Sequence, residues 1–291
     1  MKMAYQLFSD SCSNLTDAMI ADLDVEILSL TVRADGREYY SYIKGEKTDI
    51  KKFYDLMRAG HSLETSQLNM EKCREAFAAV LEQGQDVLYL AFSSALSGTY
   101  NVATVVADEL KEKYPGRKIY VVDSLAASMG EGLMLTYAAN KRKEGKSIDE
   151  VRDWLENNKL SFCHWFTVDD LYHLKRGGRV SAATALLGTM LSIKPVLHVD
   201  NEGRLINVSK ARGRKKSLEA LVDRMAETCV NPEDQLIYIS HGDCLEDAKY
   251  VEKLVRERLH VKDVKINYVD PVIGAHSGPG TVALFFVGTE R

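Results

Sequence analysis

The sequence has few of the features that mark secreted or metal-binding proteins. Its five cysteines, Cys12, Cys73, Cys163, Cys229 and Cys244, are scattered, form no CxxC pair and are odd in number. This pattern is typical of free thiols in a reducing compartment, and it argues against a disulfide framework and against a zinc site. The sequence also has no HxH or HExxH motif, so we expect no bound metal.

Charge excess and long apolar runs are also missing. The net charge of −4 over 291 residues gives no bulk attraction to nucleic acid or to an anionic membrane. The first residues, MKMAYQLFSDS, lack the apolar core of a signal peptide. No uncharged apolar run approaches the length of a membrane span. We therefore expect a cytoplasmic protein with no integral membrane segment and no nucleic-acid partner.

Three common fingerprints of enzymes are absent as well. There is no G-x-S-x-G elbow, which weakens an assignment as an α/β-hydrolase. Neither G-x-x-x-x-G-K-[ST] nor G-x-G-x-x-G occurs, so the usual nucleotide-binding loops are missing. The chemistry must be sought in less specific features.

The order of elements in the first half is strand, loop and helix, repeated. Predicted strands at 4–8, 86–92 and 117–122 are each followed by a polar loop and then by a helical pattern. This order predicts a mostly parallel sheet with helices on both faces. The second half mixes hairpins with helices and predicts an α+β domain with a mixed sheet. We place the two domains at 1–158 and 159–291.

The loops that follow these three strands have one character. They read SDSCSN at 9–14, SSALSGT at 93–99 and DSLAAS at 123–128. In a parallel sheet, loops after the strands meet at one edge, where ligands bind. Hydroxyl groups beside the free N–H groups of a helix start suit an anion, either phosphate or carboxylate. Ordinary helix capping explains the same residue types and remains an alternative.

Two further segments stand out. The segment 182–193 carries no charge, and as a helix it would be about 18 Å long, comparable to an extended acyl chain. Simple burial is the favoured explanation of such a segment. The glycine-rich segment 274–280, expected as a loop before the last strand, contains His276 between glycines that let the backbone approach a ligand. Hydroxyls, a histidine and an apolar region together suit a carboxylate on a long apolar tail.

Six motifs occur in an order that resembles the DegV family, and together they span essentially the whole chain. They are SDSCSNL at 9–15, TSQLN at 65–69, SSALSGTYNVA at 93–103, VVDSLAASMGEG at 121–132, DDLYHLKRGGR at 169–179 and IGAHSGPG at 273–280. The resemblance implies a two-domain α/β fold with a long-chain fatty acid such as hexadecanoate between the domains, and no cofactor. It further implies a non-catalytic bacterial protein that presents the fatty acid to a separate ATP-dependent fatty acid kinase subunit. The acyl phosphate so formed serves phospholipid synthesis.

The resemblance also assigns residues. It implies that Thr65 and Ser97 bind the carboxylate and that His276 supports the same hydrogen-bond network. Secondary positions in the motifs are Ser66, Gly98, Ser124 and Arg179. The basic run 210–216 is the candidate surface for the kinase, through Arg212, Arg214 and Lys215, with Lys210 and Lys216 beside them. A solvated helix start also explains this run and is slightly favoured.

One departure from the family pattern affects the loop that carries Thr65. The family often has proline after TSQ, whereas this chain has Leu68, so the rigidity of the loop is in question. Two other functions stay open. One is a stand-alone hydrolase or acyltransferase with Ser97 as nucleophile and His276 as base, and the other is a regulatory lipid sensor.

Overall fold

The computed structural model describes residues 4–181 and 192–291. Its first sheet has four parallel strands in the order β2-β1-β6-β7. The strands are β1 (Tyr5–Asp10), β2 (Val25–Leu28), β6 (Asp86–Ala91) and β7 (Ile119–Asp123). Strands β1 and β6 are almost continuously buried because both faces of a parallel sheet are covered.

Helices cover this sheet on both sides. Leu88 and Leu90 of β6 pack into one core with α1, α5 and α6, whereas Val87 and Tyr89 pack into another with α2, α3 and α4. The helices are α1 (Asp17–Leu23), α2 (Ile50–Arg58), α3 (Met70–Glu82), α4 (Thr99–Lys113), α5 (Met129–Lys143) and α6 (Ile148–Asn158). A capping box between Ser147 and Glu150 closes the start of α6.

The second large sheet is mixed, with six strands in the order β10-β9-β8-β13-β11-β12. Its strands are β8 (Phe162–Thr167), β9 (Ile193–Val199), β10 (Leu205–Arg212), β11 (Leu236–His241), β12 (Asp263–Tyr268) and β13 (Val282–Val287). Only β11 and β12 pair in parallel among these strands. The outer face is covered by α8 (Arg214–Thr228) and α9 (Leu245–Leu259).

Helix α5 lies between the two large sheets. Leu133 of α5, Leu88 of the first sheet and Phe285 of the second belong to one buried cluster, whereas the neighbouring Phe286 faces α8 and α9. The layers therefore run helix, sheet, helix, sheet, helix. This confirms the predicted fold class of a parallel sheet followed by an α+β unit with a mixed sheet.

A small third sheet and two short helices complete the described fold. The sheet has the order β4-β3-β5, all antiparallel. The elements are β3 (Thr31–Ala34), β4 (Arg37–Tyr40), β5 (Glu64–Ser66), α7 (Leu171–Arg176) and α10 (Pro271–Ser277). Asp35 and Gly36 close the hairpin between β3 and β4, and both residues have positive φ as a type I′ turn requires. The strand just before this hairpin, β2, joins the parallel sheet instead.

The glycine-rich segment differs from its prediction as a loop. Its first part lies in helix α10, which begins at Pro271 after Asp270. The Asp270 carboxylate accepts the N–H groups of Val272 and Ile273. Aspartate followed by proline is a helix start signal, and the glycines that follow mask it in the sequence. The apolar stretch 182–193 lies outside the described residues except for its last two positions.

Candidate functional site

The candidate site is a cavity of about 280 Å³ between the two large sheets. Its wall is mainly apolar, with Leu30, Phe92, Leu96, Phe166, Leu174, Val199, Leu205, Val272 and Phe285 among the lining residues. The polar lining includes Thr65, Ser66, Gln67, Ser97, Arg179 and His276. A volume near the lower end of the range for small-molecule sites, with a few polar groups in an apolar wall, suits an amphipathic ligand.

Thr65 and His276 are hydrogen-bonded to each other, although they are far apart in the chain. Thr65 lies on β5 and its Oγ1 is 2.8 Å from Nε2 of His276 on α10. Burial lowers the pKa of His276 to about 4, and the charges of Arg179 and Arg176 act in the same direction. The imidazole is therefore neutral at pH 7. The other ring nitrogen, Nδ1, is buried and has no hydrogen-bond partner among residues 4–181 and 192–291.

Ser97 lies at the start of α4 and is bonded to Thr99. The two hydroxyl oxygens are 2.9 Å apart, and the N–H of Thr99 donates to Ser97 Oγ at 3.3 Å. Thr99 Oγ1 in turn accepts the backbone N–H of Leu68 at 3.2 Å. Leu68 therefore fixes the Thr65 loop in a way that proline could not, because proline lacks the N–H that bonds to α4. Leu68 is also only 2% exposed, so its side chain anchors the loop in the core.

The start of α4 faces the cavity through Ser97 and Gly98. Gly98 occupies the N-cap position and makes no side-chain cap, and the N–H of Thr99 is donated to Ser97 Oγ. A Cβ at Gly98 would lie 1.8 Å from Oε1 of Gln67, so glycine is what allows the Gln67 side chain to lie against the helix start. The free end of the helix dipole favours an anion here.

Arg179 brings a cation to the same cavity. Its Nε donates to Leu96 O at 3.2 Å, and its NH1 donates to the carbonyl of Gly177. Partial burial lowers the pKa of Arg179 from its ordinary value. Gly177 lies against His276 in turn, because a Cβ there would be 2.2 Å from Nδ1. The Gly-Gly-Arg turn thus contacts the segment before α4 through Arg179 and His276 through Gly177.

The cavity brings together six of the seven residues that the family resemblance implies, and it leaves out Ser124. Ser66 and Gly98 line the cavity, whereas Ser124 Oγ accepts the N–H of Ala126 within its own turn. The DSLAAS loop contributes Ser128 instead, whose Oγ is 2.9 Å from Ser240 Oγ. The SDSCSN loop, all of it described, supplies no side chain to the cavity wall. The prediction that all three loops face the ligand is therefore wrong for this loop.

In the basic run 210–216, some side chains are exposed and others form ion pairs or hydrogen bonds within the protein. Arg212 and Lys215 are exposed on the surface. The Arg214 side chain is 21% exposed and bonds to Asp247 Oδ2 at 2.8 Å and to the carbonyl of Gly280 at 2.6 Å. Since Arg214 ties α8 to α9 and to the turn before β13, it is an internal structural contact. It is thereby a poor docking residue, contrary to our expectation.

A cluster of three buried carboxyl groups lies behind the cavity. Asp10, Glu131 and Asp270 are each buried, and burial is the main cause that raises the pKa of all three, to about 6 for Asp10. Asp10 accepts the Tyr89 hydroxyl and the Phe92 N–H, which fixes the ends of β1 and β6. Asp270 caps the helix that carries His276. The sequence gives no sign of this burial, because carboxyl side chains are normally exposed.

Neither a metal nor a membrane site emerges from residues 4–181 and 192–291. Within these ranges no group of three or more His, Cys, Asp or Glu side chains is placed to hold a metal ion. None of the helices there has the length and apolar character needed to span a bilayer.

Comparisons with known proteins agree on one family. Residues 4–289 match the sequence profile described as an uncharacterised protein of the DegV family. A DegV domain-containing protein of Clostridium perfringens is 49% identical over 287 residues, which cover 99% of this chain and 98% of that protein. A Thermus thermophilus structure, titled as fatty acid binding of a DegV family protein, has a TM-score of 0.87 and 33% identity and covers 98% of this chain and 100% of its own. The structure of DegV from Bacillus subtilis, titled a fatty acid binding protein, has a TM-score of 0.84 and 27% identity. It covers 99% of this chain and 100% of its own.

Proposed function

Since the chain belongs to the DegV family, we propose that it binds a long-chain fatty acid between the segments 1–158 and 159–291. Thr65 and Ser97 hold the carboxylate, and the apolar cavity holds the tail. The observation that carries this proposal is that both hydroxyls and His276 line one cavity whose remaining wall is mainly apolar. The two solved relatives described above as fatty acid binding support it.

The polar group is suited to an anion because its donors are neutral. A neutral His276 that donates Nε2–H to Thr65 Oγ1 leaves the Thr65 hydroxyl proton for the carboxylate. This tautomer leaves a bare lone pair at Nδ1, and an unpaired acceptor is better tolerated than an unpaired N–H. Each hydrogen bond to the charged head group contributes roughly 1.5–3 kcal/mol.

The tail supplies most of the affinity. Burial of each methylene contributes about 0.8 kcal/mol, so a long chain outweighs the few head-group bonds. The hydroxyls then decide which end of the ligand lies at the mouth. Ser66 and Gln67 at this end are exposed, which leaves the head group near solvent.

A carboxylate held by neutral hydroxyls stays nucleophilic, which suits presentation to a separate kinase. The carboxylate oxygen would attack the terminal phosphorus of ATP on the kinase, the bond to ADP would break, and the acyl phosphate would stay on this protein. The sequence offers no phosphate-cradling loop of its own for ATP. Arg179 supplies a positive charge near the new phosphate. Arg212 and Lys215 remain the proposed docking residues.

The geometry disfavours the hydrolase alternative. Nε2 of His276 contacts Thr65, and the hydroxyl partner of Ser97 is Thr99. A serine nucleophile needs its base within hydrogen-bond reach and a third group that orients that base. The unpartnered Nδ1 of His276 lacks such a group. We therefore propose a non-catalytic carrier.

Binding is tested with delipidated protein and a displaceable fluorescent fatty acid. The Thr65→Val/Ser97→Ala double variant should bind hexadecanoate at least tenfold more weakly while it still unfolds cooperatively in urea. Ser94→Ala is the matched control, because Ser94 is an exposed serine of the same loop outside the cavity. Equal affinity of the double variant and the wild type would contradict the head-group assignment.

The carrier role is tested with synthetic hexadecanoyl phosphate. Its hydrolysis should slow when one equivalent of protein is present, and Arg179→Gln should weaken this protection. Release of product from p-nitrophenyl hexadecanoate by the protein alone would instead support the hydrolase.

A further inference from the structure

Thr99 connects the two segments that carry the carboxylate-binding hydroxyls. It accepts the N–H of Leu68 from the loop that follows Thr65, and it bonds to Ser97 through both its hydroxyl and its N–H. Thr99 is completely buried and does not line the cavity. Any effect that it has on a ligand must therefore act through its neighbours.

Burial sets the direction of the bond between the two hydroxyls. Thr99 Oγ1 accepts the Leu68 N–H, and its own proton is completely buried, so it needs the acceptor that Ser97 Oγ provides. The Ser97 hydroxyl lines the cavity, where its proton can meet a ligand. Ser97 Oγ is the hydroxyl oxygen 2.9 Å away, and it also receives the Thr99 N–H. Because Ser97 Oγ accepts both the hydroxyl proton and the N–H of Thr99, the Ser97 proton is free to point into the cavity.

We infer that Thr99 is a positioning residue for the head group, an inference that rests on the proposed fatty acid function. It turns Ser97 into a donor toward the carboxylate and fixes the distance between Ser97 and the Thr65 loop. That loop needs such a tie, because β5 pairs with β3 over only three residues. The Leu68–Thr99 bond is the hydrogen bond that joins this loop to the start of α4.

The test compares ligands that share a tail and differ in head group. Thr99→Val removes the hydroxyl at nearly constant volume, and we expect hexadecanoate to bind about tenfold more weakly. Hexadecanol should be affected much less, because it has no charge for Ser97 to bind. Thr99→Ser keeps the hydroxyl and should restore hexadecanoate binding. Thr104→Val on the same helix is the control, since that hydroxyl bonds within α4 to the carbonyl of Tyr100.

A double-mutant cycle separates positioning from packing. In the Ser97→Ala background, Thr99→Val should cause little further loss of hexadecanoate affinity, because its main target is already gone. An equal loss for hexadecanoate and hexadecanol, or a full additional loss in that background, would overturn the inference. If Thr99→Val does not fold, Thr99→Ala takes its place, since it leaves room for a water to pair the Leu68 N–H.

The wild-type measurement distinguishes the two proposals. Failure of the wild type to bind hexadecanoate would overturn the proposed function itself. Tight wild-type binding with an unaffected Thr99→Val variant would overturn only the role of Thr99.

Discussion

Gly177→Ala should weaken fatty acid binding without straining the backbone. Gly177 has φ −73° and ψ −9°, which alanine adopts freely. The added Cβ would lie 2.2 Å from Nδ1 of His276, whereas an ordinary contact begins at 3.4 Å, so the ring must move by about 1.2 Å. Whichever direction the ring takes, the 2.8 Å contact with Thr65 is not kept in its present geometry.

The expected loss of affinity follows from the role of the contact between His276 and Thr65. If His276 holds Thr65 as a donor to the carboxylate, its displacement costs roughly 1.5–3 kcal/mol, or about tenfold or more in affinity. Displacement of a fluorescent fatty acid by hexadecanoate measures this directly. Gly116→Ala is the control, because a Cβ at that exposed glycine meets nothing within 4 Å.

A second background tests the reasoning. In His276→Ala protein the clash partner is missing, so Gly177→Ala should have no added effect. Unchanged affinity of the single variant, or the same loss in the His276→Ala background, would refute the account of this turn.

Three other predictions address the buried groups and the basic run. Ser9 has one proton but two acceptor neighbours, Leu90 O at 2.9 Å and Glu131 Oε1 at 2.7 Å, so we expect Glu131 to be protonated in the folded protein. The raised pKa of Glu131 means that the folded state keeps a proton that the unfolded state releases. The stability of the wild type relative to Glu131→Gln should therefore fall by up to about 1.4 kcal/mol per pH unit above roughly pH 4.3. An equal pH dependence of the urea-unfolding free energy of the two proteins from pH 5 to 8 would contradict this. Proton NMR of the ligand-free protein should give His276 a pKa of about 4, and titration near 6.5 would refute its burial. Arg214→Ala should lose about 2 kcal/mol of stability in urea whereas Arg212→Ala stays within about 0.5 kcal/mol, and equal effects would count against the ion pairs of Arg214.

Local patterns in the sequence were enough to predict the two large sheets and the order of helices around the first. The repeated strand, loop and helix order predicts the parallel sheet, and the hydroxyl-rich loops after its strands predict the edge where the cavity lies. These features depend on residues close together in the chain, so periodicity and turn chemistry report them. The motifs that resemble the DegV family predict Thr65, Ser97 and His276, which the fold brings to one cavity.

Tertiary structure alone decided which of several similar residues face that cavity. Ser128 lines it and Ser124 does not, although both belong to one loop, because backbone direction there depends on contacts with Asn14 and Ser240. The roles of Thr99 and Gly177 likewise arise from partners distant in the chain. Pairings over such separations are fixed by packing of whole elements, and a single sequence carries no local signal of them.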